Sequence, residues 1–251
     1  MKLPLEGRTI LVPVTKHRRD LAHMVRGLGA HVVEAECIAI EPPENPAALR
    51  EATQRWAAGE YHWLAVTSRN AVQALSAVAL EWGGSLAQGH AKVATVGAAT
   101  TRACSEVGLT VHLTPERADA SGLVAEFPTG TGRVLAPVGN LAPAVLEKGL
   151  VRKGWEVDVV EAYRTVDGPG IDARTRQRLA QGDFDAIVLT SASVAQKVRR
   201  DLGDLHVAAG TAIIAIGHTT ATAAIRADLR PTAVSAKASH TGILETLVQV
   251  L

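Results

Sequence analysis

Along this chain, short unbroken apolar runs alternate with longer segments in which apolar residues recur at helical spacing. The first pattern reads as a strand buried on both faces of a sheet, the second as an amphipathic helix lying over it. Strands are thereby predicted over 9–14, 63–66, 92–96, 134–136, 186–189 and 212–216. Helices are predicted over 18–28, 47–57, 70–81, 99–107, 142–153, 173–180, 193–200, 219–227 and 241–250. Gly29, Gly83, Gly108, Gly154 and Gly182 follow helices, where a left-handed cap residue is wanted. Strand and helix in alternation specify an α/β fold built on doubly wound parallel sheet.

The same sequence then recurs about half a chain later. Tyr61-His-Trp-Leu-Ala-Val-Thr-Ser-Arg-Asn-Ala-Val72 matches Phe184-Asp-Ala-Ile-Val-Leu-Thr-Ser-Ala-Ser-Val194. Val93-Ala-Thr-Val-Gly-Ala-Ala-Thr-Thr-Arg-Ala103 matches Ile213-Ile-Ala-Ile-Gly-His-Thr-Thr-Ala-Thr-Ala223, and Gly7-Arg-Thr-Ile-Leu-Val-Pro-Val14 matches Gly132-Arg-Val-Leu-Ala-Pro-Val138. Three matches in one order indicate an internal duplication, so two similar α/β domains are expected, with a ligand cleft between them. Two long extended stretches, 31–40 and 156–166, break the alternation at equivalent places, and each runs into a Pro/Gly-rich turn that forbids a helix. Read as crossings, they give one domain over 43–158, a second made of 1–36 and 167–251, and linker strands at 37–42 and 159–166. The repeat alone equally allows two consecutive domains divided near 129–132.

Composition removes several function classes. Charged residues make up 20% of the 251 residues and the net charge is only +1, without the clustered basic surface that nucleic acid requires. Aromatic content of 3% leaves little for base stacking. The arginine pairs at 18–19 and 199–200 read as solvated helix faces. No apolar run is long enough for a membrane span, and the N-terminus lacks a signal-peptide core. Cys37 and Cys104 form neither a disulfide framework nor a CxxC pair, so a reduced, cytoplasmic setting is expected.

Ligands of open parallel sheets bind beyond the carboxyl ends of the strands. The residues placed there are Thr15, Lys16, Thr67, Ser68, Arg69, Gly97, Thr100, Thr101, Gly139, Asn140, Ser191, Ser193, Gly217, His218, Thr219 and Thr220. Most are glycine or hydroxylated, and most open a helix, whose free N–H groups and dipole attract carboxylate or phosphate. The same residues are ordinary N-caps, and any one of them is accounted for by helix stability alone. Familiar catalytic signatures are missing from the sequence: there is no P-loop, no dinucleotide fingerprint, no G-x-S-x-G elbow and no metal-ligand spacing. The chemistry must then be undemanding or borrowed from the substrate. Tyr163, in the second crossing, can offer a phenol hydroxyl as donor or can simply pack at a strand end.

The motifs Val66-Thr-Ser-Arg-Asn-Ala-Val72, Val96-Gly-Ala-Ala-Thr-Thr101, Pro137-Val-Gly-Asn-Leu141, Ala162-Tyr-Arg-Thr165, Leu189-Thr-Ser-Ala-Ser-Val194 and Ala215-Ile-Gly-His-Thr-Thr-Ala221 occur in the order found in uroporphyrinogen-III synthases, which the chain resembles over almost its whole length. The resemblance implies two α/β domains joined by a two-stranded linker, the middle of the chain forming one of them. It implies a monomeric cytoplasmic hydro-lyase that closes linear hydroxymethylbilane into uroporphyrinogen III, inverting ring D and losing water, without metal or cofactor. It further implies that Tyr163 assists departure of the hydroxyl, that Thr220, with Thr219 beside it, is functionally important, and that Thr67, Ser68, Ser191, Ser193 and the Gly97–Thr101 turn contact substrate carboxylates. Three positions depart from the family's habit: His218 stands where proline is common, Lys16 where arginine is, and no basic residue follows Gly139-Asn140. A paralogue that senses a tetrapyrrole or another polycarboxylate without converting it is the alternative these departures leave.

Overall fold

A computed structural model describes residues 2–15 and 19–251, and by its contacts the chain divides into two compact units, Met1–Ala39 with Val166–Leu251 and Ile40–Thr165. The first residue of the helix predicted from 18 lies outside the described residues. In the first unit the strands are β1 (Thr9–Pro13), β2 (His31–Glu41, whose last residues pass into the second unit), β7 (Ala186–Leu189), β8 (Ala212–Ala215) and β9 (Ala233–Val234). They lie in the order β2-β1-β7-β8-β9, each pair parallel. The second unit contains β3 (Trp63–Val66), β4 (Lys92–Thr95), β5 (Arg133–Gly139) and the start of β6 (Glu156–Gly170), ordered β6-β5-β3-β4 and again parallel.

Both faces of each sheet are covered, which is why β3, β7 and β8 are buried at every position. In the first unit, Ile10, Val12, Val188 and Ile214 pack against α1 (Asp20–Gly27) and α10 (His240–Val250) through Leu21, Val25, Ile243 and Leu247. The alternate residues Leu11, Ile187, Leu189 and Ile213 meet α7 (Ala173–Gln181), α8 (Ala192–Leu202) and α9 (His218–Arg226). This is the period-two alternation of a strand between two helical layers. In the second unit α2 (Pro46–Ala57), α3 (Arg69–Glu81) and α4 (Ala98–Glu106) cover one face. On the other lie α5 (Ala120–Glu126) and α6 (Val145–Arg152), with Trp63, Phe127 and Trp155 forming an aromatic group whose successive rings stand 4.8 and 6.0 Å apart. All four tryptophans, Trp56, Trp63, Trp82 and Trp155, belong to this unit.

Besides the short β9 and a 3₁₀ turn at Leu86–Gln88, which were not predicted, two helices differ from the sequence reading. α6 begins at Val145 rather than at 142, because Pro143 forces the residue before it out of helical geometry. α5 was not predicted at all. It is the counterpart of α10: Asp119 accepts a hydrogen bond from the Gly122 N–H at 2.7 Å, as Ser239 does from Gly242 at 3.1 Å. A Cβ at Gly122 would lie 2.1 Å from the Arg117 carbonyl oxygen, and one at Gly242 would lie 2.3 Å from that of Lys237. The two glycines thus let the same tight loop close in both repeats. No helix among the described residues is long and apolar enough to cross a membrane.

Candidate active site

In each unit the candidate residues gather at the carboxyl ends of adjacent strands. In the first, Thr15 follows β1, Ser191 and Ser193 follow β7, and Gly217 to Thr220 follow β8. In the second, Thr67 to Arg69 follow β3, Gly97 to Thr101 follow β4, and Gly139 and Asn140 end β5. β1 lies beside β7 and β5 beside β3, and between each such pair the chain winds off in opposite directions; this is where doubly wound sheets open a crevice. Lys16 lies outside the described residues.

The four principal helix starts are of two kinds. Ser68 and Ser191 are true caps: their Oγ atoms accept hydrogen bonds from the N–H of Asn70 at 3.1 Å and of Val194 at 3.2 Å. Each hydroxyl keeps its own proton to donate. Gly97 and Gly217, which open α4 and α9, supply no side-chain cap. Their backbones are extended and would suit any residue, so conformation does not explain the glycines. Proximity accounts for Gly97, where a Cβ would lie a tight 3.1 Å from Ala118 Cβ, whereas one at Gly217 would sit in ordinary contact 3.7 Å from Ala238 Cβ. The loops that enter α5 and α10 therefore lie against these two turns. They also bring Arg117 and Lys237, both exposed, into matched positions one residue before those alanines. Sequence reading missed this pair, although Arg117-Ala-Asp-Ala-Ser-Gly122 against Lys237-Ala-Ser-His-Thr-Gly242 is a fourth repeat match that would have revealed it. Uncapped N–H groups suit an anionic ligand, and of the two cations Arg117 is already paired with Asp119 at 3.0 Å.

Several side chains are committed inward. Thr100 and Thr220, at matched positions, are each only 5% exposed, so they pack the first turns of α4 and α9 while His218 and Thr219 face solvent. The Thr101 hydroxyl lies 2.7 Å from that of Thr95 and 3.2 Å from that of Thr114, closing a ring of three with the 3.0 Å Thr95–Thr114 contact. The other repeat carries Ala215 and Ala221 where Thr95 and Thr101 stand, so the ring belongs to one unit only. Asn140 is likewise engaged: its amide group donates to the Thr165 carbonyl at 3.3 Å and accepts from the Thr165 N–H at 2.9 Å. Thr15, Thr67 and Ser193 are half-buried, and Arg69 is exposed at the start of α3.

Tyr163 is half-buried at the edge of the second unit's core, paired in register with Gly139. Between Val138 and Gly139 the β5–β6 register shifts, leaving Ala162 unopposed. The two thiols are poor nucleophiles, since burial pushes Cys37 up to about 12 and Cys104 up to about 11. No cluster of His, Cys, Asp and Glu able to hold a metal ion occurs among the described residues.

Comparison with known proteins places these features in context. A family model described as uroporphyrinogen-III synthase HemD matches residues 19–245. The porphyrin biosynthesis protein HemD of Ruminiclostridium josui is 29% identical over all of this chain, which spans only 50% of that longer protein. A putative uroporphyrinogen-III synthase of Methanothermobacter thermautotrophicus is 30% identical over 68% of this chain and 68% of its own. The chloroplastic uroporphyrinogen-III synthase of Oryza sativa is 28% identical, covering 96% of this chain and 80% of its own. Among solved structures, a mutant uroporphyrinogen III synthase from Thermus thermophilus superposes with a TM-score of 0.72 at 20% identity, covering 97% of this chain and 98% of the other. The synthetase from Helicobacter pylori gives 0.60 at 16% identity, over 97% and 100%. At these identities the structural likeness speaks for the fold.

Proposed function

The chain belongs to the uroporphyrinogen-III synthase family, and on that premise we propose that it closes linear hydroxymethylbilane into uroporphyrinogen III. The family match over residues 19–245 carries this reading. In the reaction class, a hydro-lyase cyclisation, the terminal hydroxyl leaves with a proton as water and the resulting azafulvene is attacked by ring D carbon. The spirocyclic intermediate then breaks the bond between ring D and its original bridging carbon, and that carbon re-bonds to the other α-carbon of ring D, which loses its proton, so the macrocycle closes with ring D inverted. Nothing here demands a strong acid, a nucleophile or a redox group, which agrees with a site of helix starts, hydroxyls and one phenol. The substrate's carboxylates would take the uncapped N–H groups of α4 and α9 and the hydroxyl protons of Ser68 and Ser191. Thr15, Thr67, Arg69, Ser193, His218 and Thr219 line the same strand ends as further contacts. Tyr163 is the candidate donor to the departing hydroxyl, while Thr220 would act through the turn it packs, holding the α9 start in shape. Positioning is the main requirement, because the bilane also closes by itself to the uninverted isomer. A cytoplasmic monomer is the setting this reading implies. The test is to supply hydroxymethylbilane and separate the uroporphyrinogen isomers. Type III product in excess is expected, whereas type I alone, at the rate seen without protein, would sink the proposal.

A further inference from the structure

Asn140 carries a role that its position at the strand end does not suggest. In a parallel ladder a residue donates its N–H to one neighbour-strand carbonyl and accepts at its own carbonyl from the N–H two residues on. The Asn140 N–H does the first, bonding the Tyr163 carbonyl at 3.2 Å. For the second, the Thr165 N–H is met not by the Asn140 backbone but by its side-chain oxygen at 2.9 Å, and the side-chain amide returns a bond to the Thr165 carbonyl at 3.3 Å. The side chain therefore supplies the next rung of the ladder after the backbone has turned away, the Ala142 N–H bonding back to Gly139. β6 is held on both sides of Arg164, at Tyr163 and at Thr165.

The ring of Tyr163 is fixed from the other direction. A Cβ added to Gly139 would lie 2.7 Å from ring carbon Cζ and 2.9 Å from the hydroxyl oxygen, so the phenol lies directly over the glycine and only glycine leaves it room. The bulge that leaves Ala162 unopposed is what brings Tyr163, instead of its neighbour, opposite Gly139. The other repeat carries different side chains at the described positions. There Ile38 stands at the Tyr163 position and Thr15 at that of Gly139.

We infer that Gly139 and Asn140 are positioning residues that set the place of the Tyr163 phenol, and that Asn140 does not serve as a substrate-binding side chain. The functional half of this inference rests on the proposed role of Tyr163; the positional half does not. The chain contains two tyrosines, Tyr61 and Tyr163, so ring-labelled tyrosine gives two nuclear magnetic resonance signals, and Tyr163→Phe identifies which is which. The experiment compares Asn140→Ala, Asn140→Asp and Gly139→Ala in the full chain, alone and combined with Tyr163→Phe. Melting curves establish which variants are folded.

Each folded single variant at 139 or 140 should move the Tyr163 signal and leave that of Tyr61. Turnover by Asn140→Ala should fall about fivefold or more with KM changed less than about twofold, and the loss should vanish in the Tyr163→Phe background. Asn140→Asp keeps the acceptor for the Thr165 N–H and should recover part of the rate. If Asn140 instead touched a substrate carboxylate, Asp would repel it, KM would rise above that of the Ala variant, and the loss would persist without the phenol. That pattern, or a Tyr163 signal that stays in place in all three variants, overturns the inference. If the signal moves while turnover is unchanged in these variants and in Tyr163→Phe, the positional half stands and the role proposed for Tyr163 fails. Should Asn140→Ala not fold, the Asp and Gly139→Ala variants decide the matter.

Discussion

Removing one oxygen is the cleanest change available at the Tyr163 position, since phenylalanine keeps the ring over Gly139 and loses only the donor. Tyr163→Phe should lower kcat by about ten- to a hundredfold, or about 1.4–2.7 kcal/mol, with substrate affinity and the type III identity of the product retained. Unchanged kcat in single-turnover measurements would leave the tyrosine only a packing role. Acid stability offers a second test of single residues. The Gly122 N–H holds the Asp119 carboxyl below the usual range, and the Thr175 hydroxyl does the same to Asp172. A depressed carboxyl pKa stabilises the fold above the unfolded value, near ~3.9, and that stability is lost as pH falls through the folded value. Both groups are well exposed, so screening keeps each contribution small, of the order of the ~1 kcal/mol of a helix cap. Urea midpoints followed from neutral to acid pH should fall for the wild type. The fall should be shallower for Asp119→Asn with Asp172→Asn, where the caps remain but do not titrate; identical slopes would remove the carboxylates from the account. At this scale the sequence was informative about residue type and less so about commitment. Ser68 and Ser191 were readable as helix-opening hydroxyls. The inward turn of Thr101 was not, since its partners Thr95 and Thr114 come from other elements.

Elements were legible wherever apolar periodicity had room to repeat, as in the buried strands β3, β7 and β8 and the long helix α3. α5 escaped because seven residues give a helical period too little length to declare itself. Its signature lay instead in the recurrence of its entry loop around Gly122 and Gly242. That recurrence makes a sharp expectation: Gly122→Ala or Gly242→Ala drives a methyl group into a loop carbonyl and should destabilise the protein by about 1–3 kcal/mol in chemical unfolding. Gly210, with nothing near its missing Cβ, is the control, and an equal effect there would mean that backbone freedom rather than crowding is responsible. The place of Tyr163 over Gly139 was beyond sequence reasoning for a related cause. A one-residue register shift decides which side chain faces the strand end, and pairing register across some two dozen residues leaves no local trace.

On the scale of the whole chain, duplication and α/β class were both readable, because every match fell in the same order. The boundaries follow from physical continuity: β5 pairs with β3, so a fragment ending at 130 loses the strand that β3 leans on. Residues 40–165 expressed alone should therefore unfold cooperatively, and 1–130 should not; a folded 1–130 fragment would argue for consecutive domains. The first unit, by contrast, is tied across its separated segments by Arg8, which donates to Asp185 at 2.7 Å and to the Leu251 carbonyl, while the Thr9 N–H bonds Asp185 at 2.8 Å. The lopsided distribution of tryptophan gives this architecture an optical consequence. Indole emission originates in one unit alone, so it is blind to the other, whereas far-ultraviolet dichroism sees helices in both. Followed together through a urea titration, the two signals form an internal stopwatch on domain coupling. Coincident midpoints would mean that the units melt as one, and a dichroism change that precedes or trails the emission would time the silent unit by difference, with no label and no mutation.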